Sequence, residues 1–183
     1  MEQGAIRQEF TQQSAIPLDL FEAAIGFIDG ELVIDPITHE VVATPIHDKL
    51  GWKFTRFGHQ ARNLSAACFF NEDGSLWQAK AYGLPNQNSQ RSGCYRAPKG
   101  NGNQPYFPPV PMRYREKIAK IYGVEPPPMS EAFWPWFLDH PEIPVTITEG
   151  GKKSLAALGQ GVVTIALYGL SLIHISEPTR RTP

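Results

Sequence analysis

Cysteine is scarce in this chain, with only Cys68 and Cys94 among 183 residues. Two cysteines cannot build a disulfide framework or a four-thiolate metal site, and such low usage is typical of a reducing cytoplasm. The chain also lacks a run of about 18 apolar residues, which argues against a transmembrane helix. Its first residues lack the basic start and apolar core of a secretory signal. We therefore expect a cytoplasmic protein with no membrane partner.

Several signatures of catalysis are missing as well. The chain has no closely spaced histidine pair, no Cys-x-x-Cys and no Gly-x-Ser-x-Gly, so the usual patterns for zinc, redox and serine-hydrolase chemistry are absent. Residues 150–154 (GGKKS) do not form a Walker phosphate loop. Thr146 stands where that loop needs glycine, and Lys153 stands where it needs serine or threonine.

The composition is otherwise that of a globular protein, with 42% hydrophobic and 19% charged residues. The charge is unevenly distributed along the chain. Residues 1–50 carry 2 basic and 9 acidic side chains, whereas residues 51–120 carry 11 basic and 3 acidic ones. A basic middle region is a weak indication of a polyanionic partner, and a solvated surface is the alternative interpretation.

Turn residues between apolar runs predict hairpins in the first half of the chain. We expect residues 1–25 to be flexible, with a short helix over Leu18–Ala24, and residues 26–125 to form a mixed, β-rich basic leading region. The clearest predicted hairpin joins residues 66–70 and 76–82 through Asp73-Gly74. The dipeptide Asp29-Gly30 predicts another turn within residues 27–34. Residues 41–46 and 52–57 are further candidate strands.

A long irregular segment, residues 86–111, is rich in Asn, Gln, Gly and Pro. It holds Arg91, Arg96 and Lys99 close to the aromatic Tyr95. Basic side chains interleaved with aromatic ones can bind a nucleic-acid strand, with the charges on phosphates and the rings on bases. The alternative is a loop whose aromatic side chains pack on the neighbouring sheet.

Two helices are predicted after this segment. Apolar residues three and four apart favour a helix over Met112–Tyr122, which Gly123 ends. The prolines at 126–128 prevent it from resuming and give the best domain boundary. A short aromatic helix over residues 130–138 is interpreted as a packing element rather than a ligand site.

Residues 144–169 have the pattern strand, turn, helix, strand, which implies two parallel strands. Residues 145–148 are β-branched throughout, as suits a strand buried on both faces. Glu149 follows that strand, and Gly150 begins the turn. Ligands bind beyond the carboxyl ends of such strands, so Glu149 lies at the edge where chemistry is expected.

A carboxylate at this edge can help to hold a divalent cation or act as a general acid or base at a phosphodiester. Lys152 and Lys153 can lie near phosphate oxygens. A single carboxylate holds Mg²⁺ poorly, so partner acids must come from elsewhere. The alternative is that Glu149 complements the helix dipole and that both lysines are solvated.

Residues 144–169 (PVTITEGGKKSLAALGQGVVTIALYG) resemble the first strand–helix–strand unit of a TOPRIM-like domain. They are more closely similar to the bacterial plasmid- and phage-type proteins grouped as domain of unknown function 3854. The stretches TPIHDKLGWKFTRFGHQAR, EDGSLWQAKAYG, YRAPKGNGNQPYFPP and FWPWFLDHPEIP also look like that family. The resemblance covers residues 26–169.

The resemblance implies a role for Glu149 as the catalytic acid or base, or as a member of a Mg²⁺ site, with Gly150 in the adjoining turn. TOPRIM-like domains occur in primases, topoisomerases and nucleases. Their pattern also needs an Asp-x-Asp pair after a later strand, and no such pair follows Glu149 in this chain.

The last residues do not resemble a natural sequence. Residues 170–180 (LSLIHISEPTR) correspond to a transposase-based sequencing adapter read in frame, so residues 170–183 are interpreted as an artefact. On this hypothesis the natural protein continues past Gly169, and the present chain is a truncated and inactive fragment.

The predicted fold is an α+β leading region with β-hairpins, followed by an incomplete α/β unit (residues 129–169) with a TOPRIM-like, Rossmannoid parallel sheet. The predicted parent is a primase-associated replication protein of a mobile element, with Mg²⁺-dependent chemistry on DNA or RNA. The alternative is a non-catalytic module that binds single-stranded nucleic acid. A protein-interaction or nucleotide-sensing domain also stays open, because fold does not fix function.

Overall fold

The structure is a computed structural model that describes residues 3–43, 45–51, 63–82 and 94–168. The described helices are α1 (Gln3–Gln8), α2 (Leu18–Ala24), α3 (Pro45–Leu50), α4 (Met112–Tyr122), α5 (Phe133–Leu138) and α6 (Gly151–Gly159), with a π-helical turn at Glu9–Gln13. The described strands are β1 (Ile25–Glu31), β2 (Val33–Ile34), β3 (Val41–Ala43), β4 (Asn63–Phe70), β5 (Leu76–Tyr82), β6 (Cys94–Arg96), β7 (Thr146–Glu149) and β8 (Thr164–Leu167). The fold is mixed α/β, with antiparallel sheets and one small parallel pair.

The main sheet has four antiparallel strands in the order β1-β4-β5-β6. The predicted hairpin at its centre is confirmed, because β4 and β5 pair on either side of a tight turn. Gly74 in that turn has a φ of +79°, which favours glycine. The Asp73 carboxylate accepts a hydrogen bond of 2.8 Å from the Ser75 N–H and fixes the turn locally.

The turn predicted at Asp29-Gly30 is wrong. Both residues lie within β1 and pair with β4, Asp29 opposite Ser65 and Gly30 opposite Leu64. A partner strand more than thirty residues away in sequence therefore outcompetes the local turn preference of an Asp-Gly dipeptide.

The strand predicted over residues 41–46 is only partly correct. The strand β3 ends at Ala43, and α3 begins at Pro45. Proline suits the first position of a helix because its fixed φ is helical and the missing N–H needs no partner there. Ile46 and Leu50 of α3 pack on the sheet, against Cys68. The strand predicted over residues 52–57 lies outside the described residues.

The first residues form helices rather than the flexible segment expected from the sequence. Ile6, Phe10 and Leu20 are fully buried in the main core. The helix predicted over Leu18–Ala24 is confirmed with those bounds. Burying three large apolar side chains offsets the entropy of ordering this segment, because each contributes roughly 1.5–3 kcal/mol.

The helix α4 is confirmed with its predicted bounds, and Gly123 follows it with a φ of +71°. The aromatic helix is shorter than predicted, since α5 covers Phe133–Leu138. Trp134 donates a hydrogen bond of 2.9 Å to the Pro108 carbonyl, which agrees with a packing role for this helix.

The buried guanidinium of Arg115 links α4 to α5 and to the β4–β5 turn. It donates hydrogen bonds of 2.7–2.8 Å to the carbonyls of Val110, Pro128 and Glu131, and one of 3.1 Å to the Glu72 carboxylate. Glu72 also accepts hydrogen bonds from the first N–H groups of α5, at 2.8 and 3.3 Å. We call this group the Arg115 cluster.

The predicted strand–helix–strand unit is confirmed as β7, α6 and β8, and its two strands are parallel. A TOPRIM-like sheet is not established by this one pair. The expectation that β7 is buried on both faces is wrong, because the Ile147 side chain is 55% exposed. The described neighbour of β7 is β8 alone, and β8 is bridged on its other side by Tyr106.

One main core connects these parts. It contains Phe10 of the N-terminal turn, Trp77 of β5, Ile118 of α4 and Leu155 of α6. The helix α6 approaches the sheet so closely that a Cβ on Gly151 would lie 2.7 Å from the Phe69 ring. Only glycine permits this contact, which brings the start of α6 against the antiparallel sheet.

Candidate functional site

Glu149 lies at the carboxyl end of β7, where its exposed side chain precedes the turn into α6. The parallel register pairs it with Leu167 of β8. Gly150 makes the turn with a φ of +87°, a conformation that favours glycine. The sequence therefore predicted where Glu149 lies, while its chemical role stays a prediction.

A cleft of about 590 Å³ opens beside this turn. The N-terminal segment and the antiparallel sheet contribute Ser14, Gln78 and Tyr95 to its walls. The end of β7 and α6 contribute Glu149, Gly150, Lys152, Lys153 and Ala156, and Tyr168 follows β8. The cleft thus lies between the antiparallel sheet and the parallel unit.

Glu9 forms a cluster of buried charge next to this cleft. Its carboxylate accepts hydrogen bonds from the ammonium groups of both Lys80 and Lys152, and one of 3.0 Å from the Tyr82 hydroxyl. The side chain of Glu9 is only 14% exposed and that of Lys80 only 6%. We call this group the Glu9 cluster.

Burial and charge oppose each other in the Glu9 cluster. Burial alone would raise the pKa of Glu9, but hydrogen bonds and attraction from Lys152 and Lys80 outweigh it and lower the pKa below its usual value of 4.5. Burial lowers the pKa of Lys152, and the nearby charge of Lys80 adds to that shift. Burial, together with the negative charge of Glu9, raises the pKa of Tyr95 to about 12.

The two lysines of α6 differ in their surroundings. The Lys152 ammonium is held by Glu9 and lies 4.2 Å from the centre of the Phe10 ring. The Lys153 side chain is exposed and makes no hydrogen bond or ion pair with any residue that the structure describes. Lys153 is therefore the more available of the two for an anionic ligand.

The structure brings together most of the predicted site residues, but not all. Glu149, Gly150, Lys152, Lys153 and Tyr95 line the same cleft.

Two predicted residues of the irregular segment do not line that cleft. Arg96 donates a hydrogen bond of 3.0 Å to the carbonyl of Tyr95, and Lys99 is exposed. Arg91 lies outside the described residues. The pairing of Tyr95 with Lys80 across β5 and β6 explains why Tyr95 alone joins the site.

Sequence reasoning missed Glu9, Gln78, Tyr82 and Tyr168. Three polar residues alternate along β5 at positions 78, 80 and 82, which is the spacing of one strand face. That alternation in an otherwise apolar strand was the available signal for a polar site. No local pattern marks Glu9, because its partners are 71 and 143 residues away.

The residues present do not complete a Mg²⁺ site. Within the described ranges, no group of three or more His, Cys, Asp and Glu side chains is placed to hold a metal ion. Glu149 is the carboxylate that lines the cleft, and Glu9 is engaged by two lysines. The donor set that Mg²⁺ prefers would need further oxygen ligands.

None of the helices in the described part of the chain has the length and apolar character needed to cross a lipid bilayer.

Comparison with known proteins gives two matches in sequence. Residues 133–181 match the family model described as "Domain of unknown function (DUF3854)". A stretch of 54 residues, 30% of this chain, is 50% identical to an uncharacterized protein of Picosynechococcus sp., and it covers 5% of that protein's length. No solved structure matches the chain.

These matches bear on the predicted resemblance over part of its range. The similarity to domain of unknown function 3854 is confirmed for residues 133–181, which include α5, β7, α6 and β8. That range also runs into the tail interpreted as an adapter, so the artefact and the truncation stay predictions.

Proposed function

We propose that the cleft beside Glu149 binds single-stranded nucleic acid, either DNA or RNA. The observation that carries this proposal is the meeting of Tyr95 with Lys152 and Lys153 in one cleft. From the sequence, Tyr95 of the irregular segment was predicted to contact nucleic acid, and Lys152 and Lys153 of the strand–helix–strand unit were predicted to lie near phosphate oxygens. An aromatic side chain beside an exposed ammonium group, here that of Lys153, is the combination that holds a base and its phosphate.

The charge at the cleft supports an anionic ligand. Among the described residues, Lys152 and Lys153 line the cleft together with one carboxylate, Glu149, and the Lys80–Glu9 pair lies next to it. The cleft also adjoins the first turn of α6, whose N–H groups add a partial positive charge. We expect Lys153 to contact a phosphate directly, while Lys152 stays bound to Glu9.

Binding of a labelled single-stranded oligonucleotide to the full chain, measured across a salt series, tests the proposal. Affinity should fall as the salt concentration rises, because each phosphate contact releases counterions. Lys153→Gln should weaken binding and reduce the slope of log K against log salt by about 0.7, as expected for one lost contact with a single strand. Lys120→Gln, an exposed lysine of α4 outside the cleft lining, is the matched control. Absent or salt-independent binding of the unmodified chain would dismiss the proposal.

A second candidate is Mg²⁺-dependent chemistry on nucleic acid, as in a TOPRIM-like, primase-associated replication protein of a mobile element. It is favoured by the position of Glu149, at the carboxyl end of a parallel strand and in the same cleft as the lysines. The described residues lack the partner acids for such a site, so they would come from the longer parent that the tail hypothesis predicts. Nucleotides are further candidate ligands, and a cytoplasmic location stays a prediction.

Substitution of Glu149 in that parent separates the two candidates. Glu149→Gln should abolish Mg²⁺-dependent synthesis or cleavage, because the amide is neither a good cation ligand nor a proton acceptor. It should leave binding of single strands intact or slightly stronger, since one negative charge is removed from the cleft. Unchanged metal-dependent activity would remove Glu149 from the mechanism.

A further inference from the structure

The side-chain amide of Gln78 is an unused polar group at the cleft. Gln78 exposes only 7% of its surface and lines the cleft beside Tyr95. Its amide forms no hydrogen bond with any residue in the described ranges. Lys80 and Tyr82, which follow it on the same face of β5, both bond to Glu9.

The amide of Gln78 reaches the cleft, where water or a ligand can bond to it. A ligand that leaves such a group without a hydrogen bond on binding loses free energy, and one that supplies the bond avoids that loss. Gln78 borders an open volume, so its partner can come from a ligand. The amide offers a donor and an acceptor side by side, in a plane, which suits another planar group with the complementary pair.

Two tyrosines lie on the walls of the same cleft and are braced by core aromatic rings. The Tyr95 ring centre is 6.1 Å from that of Phe69, and the Tyr168 ring centre is 5.6 Å from that of Trp77. Tyr95 nevertheless keeps 39% of its surface exposed. Rings that are fixed on one side and open on another provide stacking surfaces for a flat ligand.

We propose that the cleft holds a nucleobase of the bound strand and that Gln78 hydrogen-bonds the edge of that base. Tyr95 and Tyr168 supply the stacking surfaces, and Lys153 takes the adjoining phosphate. Each of the four bases presents a donor next to an acceptor on its pairing edge, which matches the amide. The volume of about 590 Å³ lies within the range of small-ligand sites and accommodates one or two nucleotides.

This inference rests on the proposed function, so its test separates base contacts from phosphate contacts. The full chain is titrated with a labelled single-stranded DNA and with an abasic deoxyribose-phosphate strand of equal length. The unmodified chain should bind the strand that carries bases more tightly. Gln78→Met, which keeps the length of the side chain but removes the amide, should weaken binding to that strand about 3- to 10-fold.

The same variant should leave the abasic strand and the salt slope unchanged, because no phosphate contact is lost. Gln104→Met, at an exposed position outside the cleft, is the matched control. Thermal unfolding of each variant checks that Gln78→Met still folds. The variant Gln78→Asn keeps an amide on a shorter side chain and is a second test of the same contact.

Three results overturn the inference. If the unmodified chain binds both strands equally, the cleft holds no base, while the proposed phosphate contacts survive. If it prefers the base-bearing strand and folded Gln78→Met keeps that full preference, bases bind without Gln78. If neither strand binds, the proposed function fails and the base contact fails with it.

Discussion

Two clusters of buried charge each connect distant parts of this chain, and they differ in how completely their hydrogen bonds are made. In the Arg115 cluster, the guanidinium donates to three carbonyls and to Glu72, and Glu72 also accepts from two N–H groups of α5. Nearly every donor and acceptor there has a partner. Such a network fixes the arrangement of helices and leaves little for a ligand.

The Glu9 cluster is less complete. The same carboxylate oxygen accepts from both Lys80 and Lys152, although each ammonium group carries three N–H donors. Lys152 and the neighbouring Gln78 also line the cleft. Because donors remain and open space adjoins them, this cluster has capacity for an anionic or polar ligand. The comparison separates a structural network from a candidate binding site within one fold.

The largest expected loss of stability comes from disrupting the Arg115 cluster. Arg115→Ala should lower the free energy of unfolding by about 3–5 kcal/mol, because Glu72 and three carbonyls lose their buried partner. Denaturant unfolding followed by tryptophan fluorescence measures it. Arg113→Ala is the control, since that side chain is 66% exposed and pairs with Asp19 at 3.5 Å; it should cost no more than about 1 kcal/mol. A cost for Arg115→Ala as small as that of the control would contradict a structural role.

An intermediate loss of stability is expected when the Glu9 cluster is disrupted. Glu9→Gln should lower the free energy of unfolding by about 2 kcal/mol at pH 7, because Lys80 and Lys152 lose their counter-charge while the amide oxygen still accepts a hydrogen bond. The folded pKa of Glu9 lies below its usual 4.5. Its contribution is therefore fully present above pH 4.5 and is lost as the pH falls through the folded pKa.

The difference in unfolding free energy between the unmodified chain and Glu9→Gln isolates the contribution of the Glu9 carboxyl group. Asp35, Asp73 and Glu142 also have lowered pKa values, but they are present in both proteins. Unfolding curves at pH 7 and at steps below pH 4.5 should therefore show a stability gap that closes in acid. A gap that persists unchanged at the lowest pH would show that the charge of Glu9 is not what stabilises the cluster.

The features that the sequence could predict are those that depend on local signals. The helices α4 and α6 and the β4–β5 hairpin depend on local signals, namely apolar spacing, terminal glycines and Asp73-Gly74, and all three were predictable. The position of Glu149 at the end of β7 was predictable for the same reason. The turn at Asp29-Gly30 failed because pairing between β1 and β4 is a long-range interaction that overrides a local preference.

The candidate site was only half predictable. Lys152, Lys153 and Tyr95 stood out by residue type, but nothing local indicated that β6 pairs with β5 and so carries Tyr95 to the cleft. Glu9 lay in a segment expected to be flexible, and its contacts arise only once Phe10 is buried against Phe69. Buried ion pairs between distant residues depend on tertiary packing, which composition and spacing do not encode.

The smallest expected effect compares two buried tyrosine hydroxyls. Tyr82→Phe removes the 3.0 Å hydrogen bond to Glu9 and should cost about 1 kcal/mol of unfolding free energy at pH 7. Tyr106→Phe is the matched control, because the Tyr106 hydroxyl is fully buried and has no hydrogen-bond partner among the described residues. Its removal should be neutral or stabilising, since no bond is lost and a buried polar group disappears.

Denaturant unfolding of both variants at pH 7 and again below pH 4.5 sharpens the test. The cost of Tyr82→Phe should shrink in acid, as protonation of Glu9 weakens a charge-assisted hydrogen bond to an ordinary one. The effect of Tyr106→Phe should not change with pH, because no titrating group in the described part of the chain accepts from its hydroxyl. Equal costs for the two variants would mean that the Tyr82 hydroxyl contributes nothing to the Glu9 cluster. In that case only the two lysines would stabilise Glu9, and the comparison with the Arg115 cluster would depend on those two ion pairs.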